Sequence, residues 1–273
     1  MASNGNVNFH ETFKPDASYI ASILEIADDA TYSGVQEISS DTGIPQGDHS
    51  GKVDSHLLYS KYMGLINVVK KPGSIYISRT NLGEVIYNED PGLQENLSLL
   101  ICHGMLSRPI DGAPLWKSFF ADVLPRYNET ISKDYLLGEL NQIYDGKVST
   151  KNLSPLLNAY DDMFSSLDLV EVSGDNVIVK KAKMSKEFIF AYAYIFYSLW
   201  NEKYPDQAEI TSIQMDDLHF GHIFGWGKKD EYEMLERMTE KSIIRLNRQL
   251  SPYTIYKLVT LDDLRDLLFS ELF

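Results

Sequence analysis

Apolar residues recur at three- and four-residue spacing in stretches separated by short β-prone runs, and this alternation comes round more than once along the chain. From Ala17, the positions Ile20, Ile23, Leu24 and Ala27 mark one face of an amphipathic helix. Ser33-Gly34-Val35-Gln36 has the form of a capping box, opening a short helix through Val35 and Ile38 that Gly43 closes. A third helix is predicted from about His49 to Tyr62, with Val53, Leu57, Leu58 and Tyr62 inward and Gly64 as its stop. Leu65 to Lys71, the turn dipeptide Pro72-Gly73 and Ser74-Ile75-Tyr76-Ile77 then predict a β-hairpin. Three helices followed by a hairpin form the pattern of a winged helix-turn-helix, whose third helix can enter a DNA major groove.

Two further helices, Leu93 to Met105 and Pro114 to Leu124, flank the turn Arg108-Pro109-Ile110-Asp111-Gly112. A second round follows. Leu136, Leu140 and Ile143 mark one helix, and Leu153, Leu156, Leu157, Tyr160, Phe164 and Leu167 mark a longer one. Leu169 to Val172 and Val177 to Val179 pair across Gly174-Asp175-Asn176. Phe188 to Trp200 is apolar on several faces and reads as a buried central helix rather than a cofactor box. A fainter third round has a helix through Tyr232, Leu235 and Met238, strands at Ile243–Leu246 and Thr254–Val259, and a terminal helix from Leu261.

The fold class expected is therefore mainly α (α+β): tandem winged helix-turn-helix-like units with small hairpin wings and connecting helices. The expected divisions are a first unit over 1–90, connecting helices over 91–127, a second unit over 128–183, and a C-terminal helical unit with a third hairpin over 184–273. With 273 residues, several small cores are favoured over one.

Composition then narrows the function. An apolar fraction of 44% excludes disorder. No apolar run reaches the ~20 residues of a membrane span, and no basic-then-apolar leader opens the sequence, so a cytoplasmic chain without membrane partners is expected. The single cysteine, Cys102, lies in an apolar run and reads as a packed thiol. A net charge of -14 argues against indiscriminate nucleic-acid binding. Yet residues 46 to 80 hold the five cations Lys52, Lys61, Lys70, Lys71 and Arg79 against the two carboxylates Asp48 and Asp54. With His49, His56 and the hydroxyls Ser50, Ser55 and Ser60, this helix and wing form the candidate DNA surface. The candidate contacts are His49, Ser50, Lys52, Ser55, His56, Lys61, Lys70, Lys71 and Arg79.

No phosphate-binding loop, nucleophile elbow, H-E-x-x-H or dinucleotide fingerprint is present, so no enzyme, catalytic residue, cofactor or metal is expected. His219 and His222 have ligand spacing, but no third ligand stands nearby and Gly221 weakens a helix there, which favours structural histidines.

Phe9-His10-Glu11-Thr12-Phe13, Thr80-Asn81-Leu82-Gly83-Glu84-Val85-Ile86, Asp90-Pro91-Gly92-Leu93-Gln94-Glu95, Leu99-Leu100-Ile101-Cys102-His103 and Trp116-Lys117-Ser118-Phe119-Phe120 occur in an order that resembles the bacterial domain-of-unknown-function 4007 family. That resemblance implies an accessory protein encoded near DNA phosphorothioation and phage-defence genes. The function expected from it is a non-catalytic DNA-binding or DNA-sensing defence subunit acting on duplex DNA. The alternatives are a protein-docking adaptor for a sulfur-transfer or ATPase partner, and a winged-helix transcriptional regulator.

Overall fold

The computed structural model describes residues 6–47, 50–127, 130–249 and 251–272, and a mixed α/β fold of helices and short antiparallel hairpins. The N-terminal part runs α1 (Ala17–Ile26), β1 (Ala30–Tyr32), α2 (Val35–Thr42), α3 (Lys52–Tyr62), β2 (Ile66–Lys71), β3 (Ser74–Arg79) and α4 (Asn81–Glu89). Next come α5 (Asn96–Leu106) and α6 (Pro114–Lys117), which continues as a π-helical stretch over Ser118–Val123. The middle part holds β4 (Thr130–Ser132), α7 (Lys133–Ile143), α8 (Thr150–Asn158), β5 (Val170–Ser173) and β6 (Asn176–Val179). The C-terminal part holds α9 (Ile189–Lys203), β7 (Glu209–Thr211), α10 (Ser212–Asp216), α11 (Phe220–Ile223), α12 (Lys228–Glu240), β8 (Ile244–Asn247), β9 (Thr254–Lys257) and α13 (Leu261–Asp266).

One topology recurs among the described residues. Each part pairs a hairpin with a three-residue strand from before the helices that lead into that hairpin, giving the orders β1-β3-β2, β4-β6-β5 and β7-β9-β8, all antiparallel. The strands β1, β4 and β7 are too short to carry a periodic pattern, and the sequence reading contains none of them. They exist because the hairpin edge offers unpaired backbone groups and because each inserts one apolar side chain, Tyr32, Ile131 or Ile210, into the core. The recurring hairpin of the third part, expected only faintly, has the same sheet order as the other two.

Local chemistry explains most boundaries. Hydroxyls cap the helices that leave strands: Thr80 accepts from the Gly83 N–H, Ser132 from Tyr135, Thr211 from Gln214 and Thr260 from Asp263. Such caps contribute on the order of 1 kcal/mol each. At α2 the capping partner is Glu37 rather than Gln36, its carboxylate accepting from the Ser33 N–H and hydroxyl. Gly43 and Gly64 end α2 and α3 at φ 71° and 74°, the left-handed region expected of a helix stop. The helix expected to run through Leu167 stops earlier. α8 ends at Asn158, and Tyr160 and Phe164 turn inward through a bond from the Phe164 N–H to the Ala159 carbonyl. Their helical spacing served burial without needing a helix.

Gly83 shows how tightly the first part is joined. A Cβ there would lie 1.9 Å from the Leu65 carbonyl oxygen, a backbone atom held where α3 meets β2. Gly83→Ala gains up to about 1 kcal/mol of helix propensity but must push α4 away from that carbonyl, and overpacking of this kind costs roughly 1–3 kcal/mol. The clash is the larger effect, so a lower thermal midpoint is the expected outcome. An unchanged or raised midpoint would show that α4 can shift freely.

One apolar cluster runs from Val7 to Phe269, so the three parts share a core instead of each closing its own. α9 is its axis, buried continuously from Ile189 to Trp200, as the sequence predicts.

Candidate functional site

α3 buries much of its polar face. The segment carrying Phe9, His10 and Phe13 crosses it: the Ser55 hydroxyl donates to the Phe9 carbonyl at 3.4 Å and the Tyr59 hydroxyl to the Phe13 carbonyl at 2.9 Å. The Phe9 ring packs edge-on against Tyr59 and Tyr62, and Trp116 closes over Tyr59 at 5.6 Å. Ser55, His56 and Ser60 are consequently buried. His56 is 1% exposed, and its Nδ1–H donates to the Lys52 carbonyl at 2.8 Å.

The remaining candidate contacts scatter. His49 lies outside the described residues. Ser50 is taken up in a local turn, its hydroxyl accepting from the Lys52 N–H at 3.4 Å. Lys52 folds back over the Tyr19 ring, 4.8 Å from its centroid. Lys70 pairs with Asp54. Arg79 donates to the Leu24 carbonyl, to Asp28 and to Glu84, and stacks 4.2 Å over Tyr87, which makes it a clamp between α1, β3 and α4. Lys61 and Lys71 are exposed, on different elements. The outer face of the hairpin carries the cross-strand pair Val69 and Tyr76, 47% and 37% exposed, where a phosphate-contacting wing needs cations.

A different site forms beside α3, at the turn Arg108 to Gly112 that the sequence marks only as a loop. A cavity of about 510 Å³ opens between the end of α3, the start of β2 and the start of α6. Tyr62, Ile66 and Pro114 give it apolar walls, Lys61, Arg108 and Lys117 line it with cations, and Asp111 is its one lining carboxylate. Ile110, also lining, is 46% exposed. Arg108 holds the frame: its Nε donates to the Met105 carbonyl at 2.9 Å, one terminal nitrogen reaches the Tyr62 carbonyl, and the other pairs with Glu202 on α9. Burial pushes the Glu202 carboxyl above its ordinary range, which the guanidinium opposes. Gly112 is required in the turn, because a Cβ there would lie 2.2 Å from the Arg108 carbonyl oxygen. The sequence reading gives Arg108 and Ile110 only as turn residues, Lys117 only within the family resemblance and Glu202 not at all, since the Arg108–Glu202 pair that frames the cleft joins positions far apart in the chain.

Chemistry of other kinds finds little support. Among the described residues no three His, Cys, Asp or Glu side chains gather where they could hold a metal ion. His219 and His222 face each other with Nδ1 atoms 3.2 Å apart, and burial lowers both pKa values, that of His222 to about 4. The Cys102 thiol is buried, and burial raises its pKa, which suppresses the nucleophilic thiolate. Among the described residues no helix is long and apolar enough to cross a membrane.

No family model matches the chain, and no curated protein matches it either. Two solved structures are similar over nearly its whole length. A crystal structure of SspB matches with a TM-score of 0.75 and 16% identity, covering 97% of this chain and 87% of that one. A crystal structure of magnesium-ion-bound SspB matches with a TM-score of 0.76 and 15% identity, covering 100% and 90%. At this identity the likeness shows a shared fold and lends the chain no DNA-binding role. The covered face of α3 and the scatter of the candidate cations overturn the expectation of a DNA-binding or DNA-sensing defence subunit acting through this helix and wing, and the antiviral and phosphorothioation setting is withdrawn with it. The chain is similar in fold to SspB.

Proposed function

We propose that this protein is a non-catalytic docking adaptor that binds a partner protein at the cleft between α3 and the Arg108–Gly112 turn. The observation that carries this reading is the cleft itself, where an exposed apolar residue, Ile110, stands among cations on a frame that Arg108 and Glu202 lock. Protein interfaces concentrate their energy at apolar anchors in preformed pockets rimmed by polar groups. A rigid frame also lowers the ordering cost of binding. The recurrence of helix, short strand, paired helices and hairpin supports reading the three parts as winged-helix-like units, divided near residues 90, 127 and 183. In this reading they serve as scaffold, since their sheets and helices are fused through one core.

Co-purification tests the proposal. The tagged protein is expected to bring down the product of a neighbouring gene without retained nucleic acid, and Ile110→Asp to abolish that capture while leaving the thermal midpoint unchanged. Salt-sensitive duplex retention with no protein partner would overturn it.

A further inference from the structure

We propose that the occupant of this cleft is an acidic segment of the partner that inserts one apolar side chain beside Ile110; this deepens the docking reading and rests on it. The argument is charge complementarity. The chain has 39 acidic and 25 basic side chains, and many of its cations are paired internally, among them Lys14, Lys70, Arg79, Lys180 and Lys228. Lys61 and Lys117 line the cleft and form no ion pair among the described residues, despite this surplus of carboxylates. Arg108 is already neutralised by Glu202 and acts as framework. Two cations are therefore left for an incoming ligand, with only Asp111 opposing them.

A basic segment entering here would meet Lys61 and Lys117, and like charges brought together at an interface disfavour a partner. An acidic segment meets the reverse. Tyr62, Ile66 and Pro114 offer an apolar lining, so a purely charged chain would leave the walls unfilled, whereas one apolar side chain uses them. The protein's overall negative charge repels an acidic partner at long range, but salt screens that repulsion beyond roughly 8 Å at physiological ionic strength, and the local cations act inside that distance.

Fluorescence anisotropy with the full chain tests this. The probe is a short fluorescein-labelled peptide rich in aspartate and glutamate with one central leucine, compared with a basic peptide of equal length and the same leucine. The acidic peptide is expected to bind, and the double variant Lys61→Glu, Lys117→Glu to weaken it by about tenfold or more. Lys61→Glu alone, at an exposed position, is expected to show part of this loss with an unchanged thermal midpoint. Acidic-peptide binding that is indifferent to both variants would overturn the assignment. Binding of the basic peptide only would overturn it while leaving the docking reading intact. If neither peptide binds and sedimentation shows the cleft closed by a second copy, released by Ile110→Asp, the acidic occupant is again overturned and self-association replaces it. If nothing binds the cleft at all, the docking reading falls too.

Discussion

His103→Ala is expected to lower the unfolding free energy by about 3–5 kcal/mol, the largest effect of any single substitution considered for this protein. His103 is fully buried on α5, where residues of the middle and C-terminal parts meet. Its Nε2–H donates to the Ile223 carbonyl at 2.8 Å, and its Nδ1 accepts from the Tyr160 hydroxyl at 2.9 Å. Phe120, Phe164 and Phe224 pack edge-on around the ring. Alanine leaves a cavity and strands a carbonyl and a hydroxyl away from water, and these losses add. His103→Phe separates them, since it fills the volume while removing both bonds, and should cost less than alanine. Urea denaturation of the three proteins measures the difference. A loss under about 1 kcal/mol for alanine would mean that the parts are held together elsewhere.

Acid should weaken the protein well before its carboxylates titrate. Burial lowers the pKa of His103 from 6.5 to about 4, and that of His10 likewise to about 4, so both stay neutral in the folded chain. In the unfolded chain they protonate near the ordinary value. Each therefore contributes stability that is fully present above pH 6.5 and is lost as pH falls towards about 4. For His103 the loss across that window is about 3 kcal/mol. His222, also lowered to about 4, is only half-buried and contributes less in the same direction. Glu37, bonded by the Ser33 N–H and hydroxyl, and Asp263, bonded by the Thr260 hydroxyl and N–H, are held below the usual carboxylate range and act at lower pH. Urea midpoints taken between about pH 7 and about pH 4.5 should fall steadily, and the fall should be shallower in His103→Phe. A flat profile, or an equal slope in the variant, would show that His103 does not titrate as its burial requires.

Much of the fold was legible before the structure. Ile20, Ile23 and Leu24, the stops at Gly43 and Gly64, the Pro72-Gly73 turn and the buried run from Phe188 to Trp200 all stand where periodicity and turn chemistry put them. These features depend on neighbours within one or two turns of chain. The site was not legible in the same way. Lys52, His56, Lys70 and Arg79 looked like an exposed cationic surface because periodicity assigns a residue to a helix face without saying what covers that face.

By itself, then, the sequence determined most of the longer helices, the three hairpins and their order, because local backbone preference and apolar spacing act over a few residues. Only the tertiary structure decided which faces remained open. It laid Phe9, His10, Phe13 and Trp116 over α3, paired β1, β4 and β7 with distant hairpins, and used Arg108 and Glu202 to open a cleft at the Ile110 turn. The reason is physical: burial and ion pairing belong to groups brought together across the chain, and no spacing along it records them.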